Sequence, residues 1–332
     1  MSWIKLRNLL AAFCLVLLSI SAALTLFEIF LRIENRSKPY TTVRLDINGV
    51  SYLFEESTVK ALLTREAASR NSNIFVVGDS FVAGAACVAE SKHLTGHLAN
   101  LIPSSNVINL GAAGKNPANY IDFLNYIPLS RVDTVVVVLY DNDIHVSDET
   151  CELSLQQKKY FSIHVPDFCE SQLSGEQRPK DESGLLKKIN QSVKHLSTAQ
   201  LLKESLHNLP YLSTMFYRSE YVSRWNEFAS EENKWIRSTI PVMQTIVESK
   251  GAKFKLIYYP NTNSISVSDP RHQIWKKFSA EVGRELSIHL HDPYPYFISM
   301  APRKSMVWSL TDKHPSCDAH RLMAEYVTSI LR

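Results

Sequence analysis

The hydrophobic pattern splits the chain into one uncharged leading run and a long region of short alternating runs. Residues 9–27, LLAAFCLVLLSISAALTLF, contain no charged side chain. As a helix this run spans roughly 28 Å at ~1.5 Å per residue, close to the ~30 Å hydrocarbon core of a bilayer. Trp3, Lys5 and Arg7 precede it, suited to an interface. The apolar region of a signal peptide is normally only ~7–15 residues, and here the run continues past Ser21-Ala22-Ala23. An uncleaved membrane anchor over residues 9–31 is therefore expected, behind a tail of residues 1–8. In the linker that follows, residues 32–71, TVRLDINGVSYLF reads as a hairpin turning at Asn48-Gly49. EESTVKALLTREAASR reads as a short helix.

From residue 72 the pattern changes to apolar runs at 74–77, 107–110, 134–139 and 254–259, with a weaker one at 287–290. Helical stretches near 91–101, 116–126, 233–249, 272–285 and 319–330 separate them. Uninterrupted β-branched runs such as TVVVVL fit parallel strands covered on both faces. The alternation predicts an α/β fold: a doubly wound, parallel five-stranded sheet in an α/β/α sandwich over residues 72–332. It lapses at about 145–232, a largely helical insertion. There Leu185, Leu186, Ile189, Val193 and Leu196 recur at helical spacing with lysines between them, as in a helix packed on the domain with a solvated basic face.

Composition narrows the class. Of 332 residues, 45% are hydrophobic and 21% charged, which excludes a disordered or collagen-like chain. Lys+Arg 36 against Asp+Glu 33 leaves +3, too scattered for a nucleic-acid groove, so no nucleic-acid partner is expected. None of the ten glycines forms a G-x-G-x-x-G or a P-loop, yet five lie between Gly78 and Gly114. Four cysteines stand outside the anchor. Cys151 and Cys169 are placed to close a loop in the insertion, and Cys87 and Cys317, near two candidate site segments, are a second candidate pair; free thiols are the alternative. The charges flanking the anchor nearly tie, and the short tail favours a cytoplasmic N-terminus with the domain on the extracytoplasmic, periplasmic side.

Ligands of open α/β sheets bind beyond the carboxyl ends of the strands. The first strand ends in Gly78-Asp79-Ser80-Phe81. The second ends in Asn109-Leu110-Gly111-Ala112-Ala113-Gly114, and the third in Tyr140-Asp141-Asn142-Asp143. Thr311-Asp312-Lys313-His314-Pro315 precedes the final helix. In this order the four segments resemble the SGNH/GDSL hydrolase superfamily, whose blocks supply Ser, Gly, Asn and His in turn. A single helix before such a domain resembles its membrane-anchored bacterial branch.

The resemblance implies Ser80 as nucleophile and His314 as the base that takes its proton, a task imidazole performs near neutral pH. It implies an oxyanion hole built from the N–H of Ser80, the N–H of Gly114 and the Asn142 amide. Gly111 is expected to serve the turn. The family's commonest form has Asp three residues before His, where this chain has Thr311. Asp312, two before, projects to the same side of an extended chain and takes the orienting role. This D-x-H spacing also resembles polysaccharide O-acetyltransferase-like relatives. Singly, Ser80 reads as a helix N-cap, Asn142 as a turn residue, and Asp79 and Asp143 as loop anchors. His320, His145 and the His289-Leu290-His291 pair read as structural or exposed, and neither metal nor other cofactor is implied.

The expected function is a serine ester hydrolase that removes acyl groups, O-acetyl foremost, from a cell-surface glycan or related ester. An O-acetyltransferase using the same site is the first alternative. The second is a non-catalytic, membrane-tethered glycan-binding or assembly module.

Overall fold

The computed structural model describes residues 42–47, 50–55, 72–84, 87, 90–126, 132–144, 148–173, 231–262, 265, 270–300, 306–307 and 314–332. The expected anchor, the short helix after the hairpin and the basic helix of the insertion lie outside the described residues. Among the described residues, no helix is long and apolar enough to cross a membrane.

Strands β1 (Thr42–Ile47) and β2 (Val50–Glu55) form the antiparallel hairpin, with Ile47 paired to Val50. The main sheet holds β3 (Ser72–Gly78), β4 (Ser105–Gly111), β5 (Thr134–Leu139), β6 (Lys253–Tyr258) and β7 (Leu290–His291). Their order is β4-β3-β5-β6-β7, and every neighbouring pair is parallel. The strands alternate with α1 (Ser80–Ala83), α2 (Leu94–Leu101), α3 (Pro117–Tyr126), α4 (Asp148–Gln157) and α5 (Asp167–Leu173). After these come α6 (Glu231–Ser249), α7 (Pro270–Leu286), α8 (Tyr294–Met300) and α9 (Cys317–Leu331).

Successive strand side chains point to opposite faces, and each face has its own core. Phe75, Val77, Val135, Val137 and Leu256 pack with α3, α6 and α7 through residues such as Phe123, Trp235 and Phe278. Ile74, Val76, Val136, Val138 and Ile257 pack with α1, α2, α8 and α9 through Val82, Leu98, Phe297 and Met323. Burial on both faces is what keeps β5 continuously apolar.

Two local expectations are corrected, and a third is met. The last strand begins at Leu290 rather than 287, because Ser287 adopts φ 56°, a left-handed conformation incompatible with extended chain. In agreement with the expected helical insertion, its Cys-flanked part contains α4 and α5, joined by a Cys151–Cys169 disulfide. Gly111 is the last residue of β4, not a turn residue. A Cβ there would lie 2.1 Å from the backbone nitrogen of Ala83, so it is the close approach of α1 that requires glycine.

Candidate active site

The strand order reverses at β3: its neighbours are β4 on one side and β5 on the other. The carboxyl end of β3 is therefore a topological switch point, where loops from flanking strands part to leave a crevice. Asp79 and Ser80 stand there. Asp79 is the N-cap of α1, and its Oδ1 accepts from the Phe81 N–H at 2.9 Å. Ser80 is the first residue of the helix, not its cap. The amides of Phe81, Val82 and Ala83 are all directed at Asp79, a capping arrangement that leaves out the Ser80 N–H.

β4 is held against α1 by Asn109, a residue whose neighbours explain its burial. Its Nδ2 donates to the Val82 carbonyl at 3.0 Å and its Oδ1 accepts from the Gly111 N–H at 2.8 Å. The Ala112 N–H donates to the Gly78 carbonyl, carrying the β3–β4 pairing one step past the sheet. Gly114 follows in the exposed turn with φ 72°, a conformation that L side chains rarely adopt. A Cβ on it would meet no protein atom within 4 Å. The space beside it is open.

Asn142 lies in the single 3-10 turn after β5, Asp141–Ile144. The turn is anchored by Asp143, which is fully buried: its Oδ2 accepts from the Tyr140 N–H and its Oδ1 from the Tyr120 hydroxyl, each at 2.7 Å. Burial, then the nearby Asp79 charge, pushes the Asp143 carboxyl well above the usual range, and burial raises the Tyr120 hydroxyl as well. Asn142 itself is exposed, and its Nδ2 donates to Asp79 Oδ2 at 2.9 Å.

His314 comes from the far end of the domain. The Ser316 N–H donates to the Met306 carbonyl, and the Met306 N–H donates to Thr262 beyond β6. Pro315 bridges Val307, and Ser316 caps α9 by accepting from the Ala319 N–H. So held, His314 Nε2 lies 3.0 Å from Ser80 Oγ, across 234 residues of sequence. Asp79 Oδ2 is also within reach of that hydroxyl, at 3.4 Å. The Ser80 proton thus has a nearer imidazole acceptor and a longer carboxylate one. Phe81 stands beside the imidazole, with ring centroids 5.6 Å apart, and Tyr140 stacks on Phe81 at 3.6 Å.

The structure therefore brings Ser80, His314 and Asn142 together, with Asp79 as the link between the hydroxyl and the amide. Gly114 lies in the turn after β4, at the same end of the sheet. Asp312 lies outside the described residues. The sequence marked Asp79 only as a loop anchor, since nothing local in Gly-Asp-Ser signals a partner 63 residues away. Of the two readings for His320, structural or exposed, the structure selects the structural one: it is buried, with Nδ1 3.2 Å from the Tyr259 hydroxyl. Burial and three neighbouring histidines, His93, His97 and His314, push it down to about 3.

No family model matches the chain, and no curated protein matches it. Among solved structures it is similar to a member of the lipolytic protein G-D-S-L family from Veillonella parvula, at 13% identity and TM-score 0.39, over 78% of this chain and 97% of that one. It is also similar to phospholipase A1 from Streptomyces albidoflavus, at 10% identity and TM-score 0.40, over 78% of this chain and 98% of that one. A third similar structure is a two-domain esterase active on acetylated mannans, at 13% identity and TM-score 0.36, over 82% of this chain and 52% of that one.

Proposed function

We propose that this protein is a serine ester hydrolase of the SGNH type, acting through an acyl-serine intermediate. The observation that carries the reading is the 3.0 Å contact between Ser80 Oγ and His314 Nε2, made by groups 234 residues apart at a switch point of the sheet. Nucleophile and base within hydrogen-bond reach are the minimum for activating a hydroxyl. Ser80 Oγ attacks the ester carbonyl carbon while His314 Nε2 takes its proton. The resulting oxyanion is met by the N–H of Ser80, the N–H of Gly114 and the Asn142 amide. His314 then protonates the departing alkoxide. Water, deprotonated by the same imidazole, attacks the acyl-serine, and the proton on His314 returns to Ser80. Asp312 is the proposed partner of His314 Nδ1, holding the tautomer that leaves Nε2 free to accept.

Gly114 and Asn142 are exposed and Ser80 is half-exposed, which gives water the access that hydrolysis of an acyl-enzyme needs. The substrate we propose is an O-acyl, principally O-acetyl, group on a cell-surface glycan. Polar and aromatic side chains support it: Asn261 Nδ2 donates both to the Tyr140 hydroxyl and to Asp141, beside Asn142. The domain is proposed to be held outside the cytoplasm by the apolar segment 9–31. Two disulfides among the described residues support an oxidising compartment.

Incubating the full-length protein with a serine-reactive fluorophosphonate and mapping the adduct tests the chemistry. Labelling at Ser80, lost in Ser80→Ala together with about 1,000-fold or more of the acetyl-ester hydrolysis rate, is the expected outcome. A folded protein labelled elsewhere, or hydrolysing esters equally well as Ser80→Ala, overturns the reading. Acyl transfer to added oligosaccharide that outpaces release to water selects the transferase alternative.

A further inference from the structure

Cys87 and Cys317 are joined by a disulfide, 230 residues apart in sequence and 5.8 Å apart at Cα. The bond runs alongside the Ser80–His314 contact, which spans 234 residues. Two short segments connect one cross-link to the other. On the first, the Gly84 N–H donates to the Ser80 carbonyl and the Cys87 N–H donates to the Gly84 carbonyl at 2.9 Å, so hydrogen bonds relay from Ser80 to Cys87. The second segment is His314-Pro315-Ser316-Cys317, in which Pro315 bridges Val307 and Ser316 caps α9. The residue leading into α2 grips the Cys87 end of the bridge: His93 Nε2 meets the Cys87 carbonyl oxygen.

We infer that the Cys87–Cys317 disulfide is a positioning element of the active site, a covalent brace that fixes the distance between the segment bearing Ser80 and the segment bearing His314. Apart from the bridge, the two segments meet through the packing of Phe81 beside His314 and the Ser80–His314 hydrogen bond, and a single hydrogen bond is worth only about 1 kcal/mol net. A covalent cross-link three residues past the imidazole and seven past the hydroxyl removes the relative motion that would open it. Cys87 is buried and neither sulfur is assigned a chemical step, so the brace acts through Ser80 and His314. The Cys151–Cys169 bond, closing a separation of 18 between α4 and α5, is an internal control of the same chemistry in another place.

The inference rests on the ester-hydrolase reading for its kinetic test, and a second measurement is independent of that reading. In the full-length protein, C87A/C317A and the volume-refilling C87V/C317A are compared with C151A/C169A, each checked for native circular dichroism. Fluorophosphonate labelling of Ser80 is expected to slow about tenfold or more in the first two, since a displacement of ~1 Å can cost ~100-fold. C151A/C169A is expected to label within about twofold of wild type. Imidazole 15N resonances of His314 supply the second measurement. Ser80→Ala should shift them when the 87–317 bridge is present and leave them unmoved when it is absent. A bridge-free, folded variant that labels at the wild-type rate overturns the inference, as does an equal Ser80→Ala shift with and without the bridge. If wild-type Ser80 is unreactive, the hydrolase reading falls and the resonance coupling alone decides the role of the bridge.

Discussion

Asp79 is a carboxylate with three donors and almost no water. Only 1% exposed, it accepts from the Phe81 N–H, the Asn142 amide and, at longer range, the Ser80 hydroxyl. An ionised carboxylate accepts and never donates, so only the nitrogen end of the Asn142 amide can face it. Asp79 thereby fixes which way round Asn142 sits and leaves its second N–H for the proposed oxyanion. Burial outweighs the hydrogen bonds and the His314 charge, and raises the Asp79 carboxyl above its ordinary 3.8. The unfolded chain thus loses this proton at lower pH than the folded chain does. The contribution of Asp79 to stability is lost as pH rises from about 3.8 through the raised folded value. Asp79→Asn, which mimics the neutral acid, is expected to raise Tm at pH 7, and the gain should vanish below pH ~3.8 where the wild-type carboxyl is also neutral. Activity should move the other way, with kcat down by about 100-fold as the Asn142 amide loses its anchor. Thermal melts at the two pH values beside initial rates check both signs; a variant less stable than wild type at pH 7 would contradict the account.

At the scale of elements, α1 and β4 are pressed together so closely that one hydrogen atom decides the fit. A methyl group at residue 111 would strike the backbone of Val82 and Ala83, and backbone cannot step aside as a flexible side chain does. Gly111→Ala is expected to cost about 1–3 kcal/mol and to displace Ser80 with α1, lowering Tm and esterase rate together. Chemical denaturation and ester hydrolysis on the same sample test this; an unchanged Tm would refute it. The elements themselves were largely legible in the sequence. TVVVVL matched β5 to the residue, because burial on both faces writes an unbroken apolar run. Helix starts were misplaced at α3, read from 116, one residue early, and at α7, read from 272, two residues late; these helices open on Pro117 and Pro270. Proline suits a first helical turn, where its missing N–H has no partner to lose. The same residue hid α8, whose Pro293-Tyr294-Pro295 looks like a breaker and is instead a helix entry. At the site, the residues at strand ends were legible because short strands end on recognisable loops. The Asp79–Asn142 link and the path of the 87–317 bridge along the Ser80–His314 contact were not, since both depend on how strands 3, 4 and 5 are ordered in space.

At the scale of the whole molecule, a residue with no proposed chemical step makes falling pH destabilising. His320 on α9 faces Tyr259 and is kept neutral by burial, with His93, His97 and His314 adding to the effect. With its folded pKa pushed down to about 3, the unfolded chain takes up the proton first as pH falls below ~6.5, so stability is lost from there down to about 3. The loss is on the order of 5 kcal/mol. His320→Asn keeps a polar group near Tyr259 without the imidazole charge, and is expected to move the midpoint of acid unfolding, followed by circular dichroism, to lower pH. An unshifted midpoint would place the acid sensitivity elsewhere. The distance in sequence between hydroxyl and imidazole has a temporal meaning too. With 234 residues between them, a ribosome adding ~5–20 residues per second completes Ser80 roughly ten to fifty seconds before it reaches His314. Throughout that interval the nascent chain holds Ser80 without its proposed base, so under the proposed mechanism this chain cuts no ester until His314 has emerged and docked.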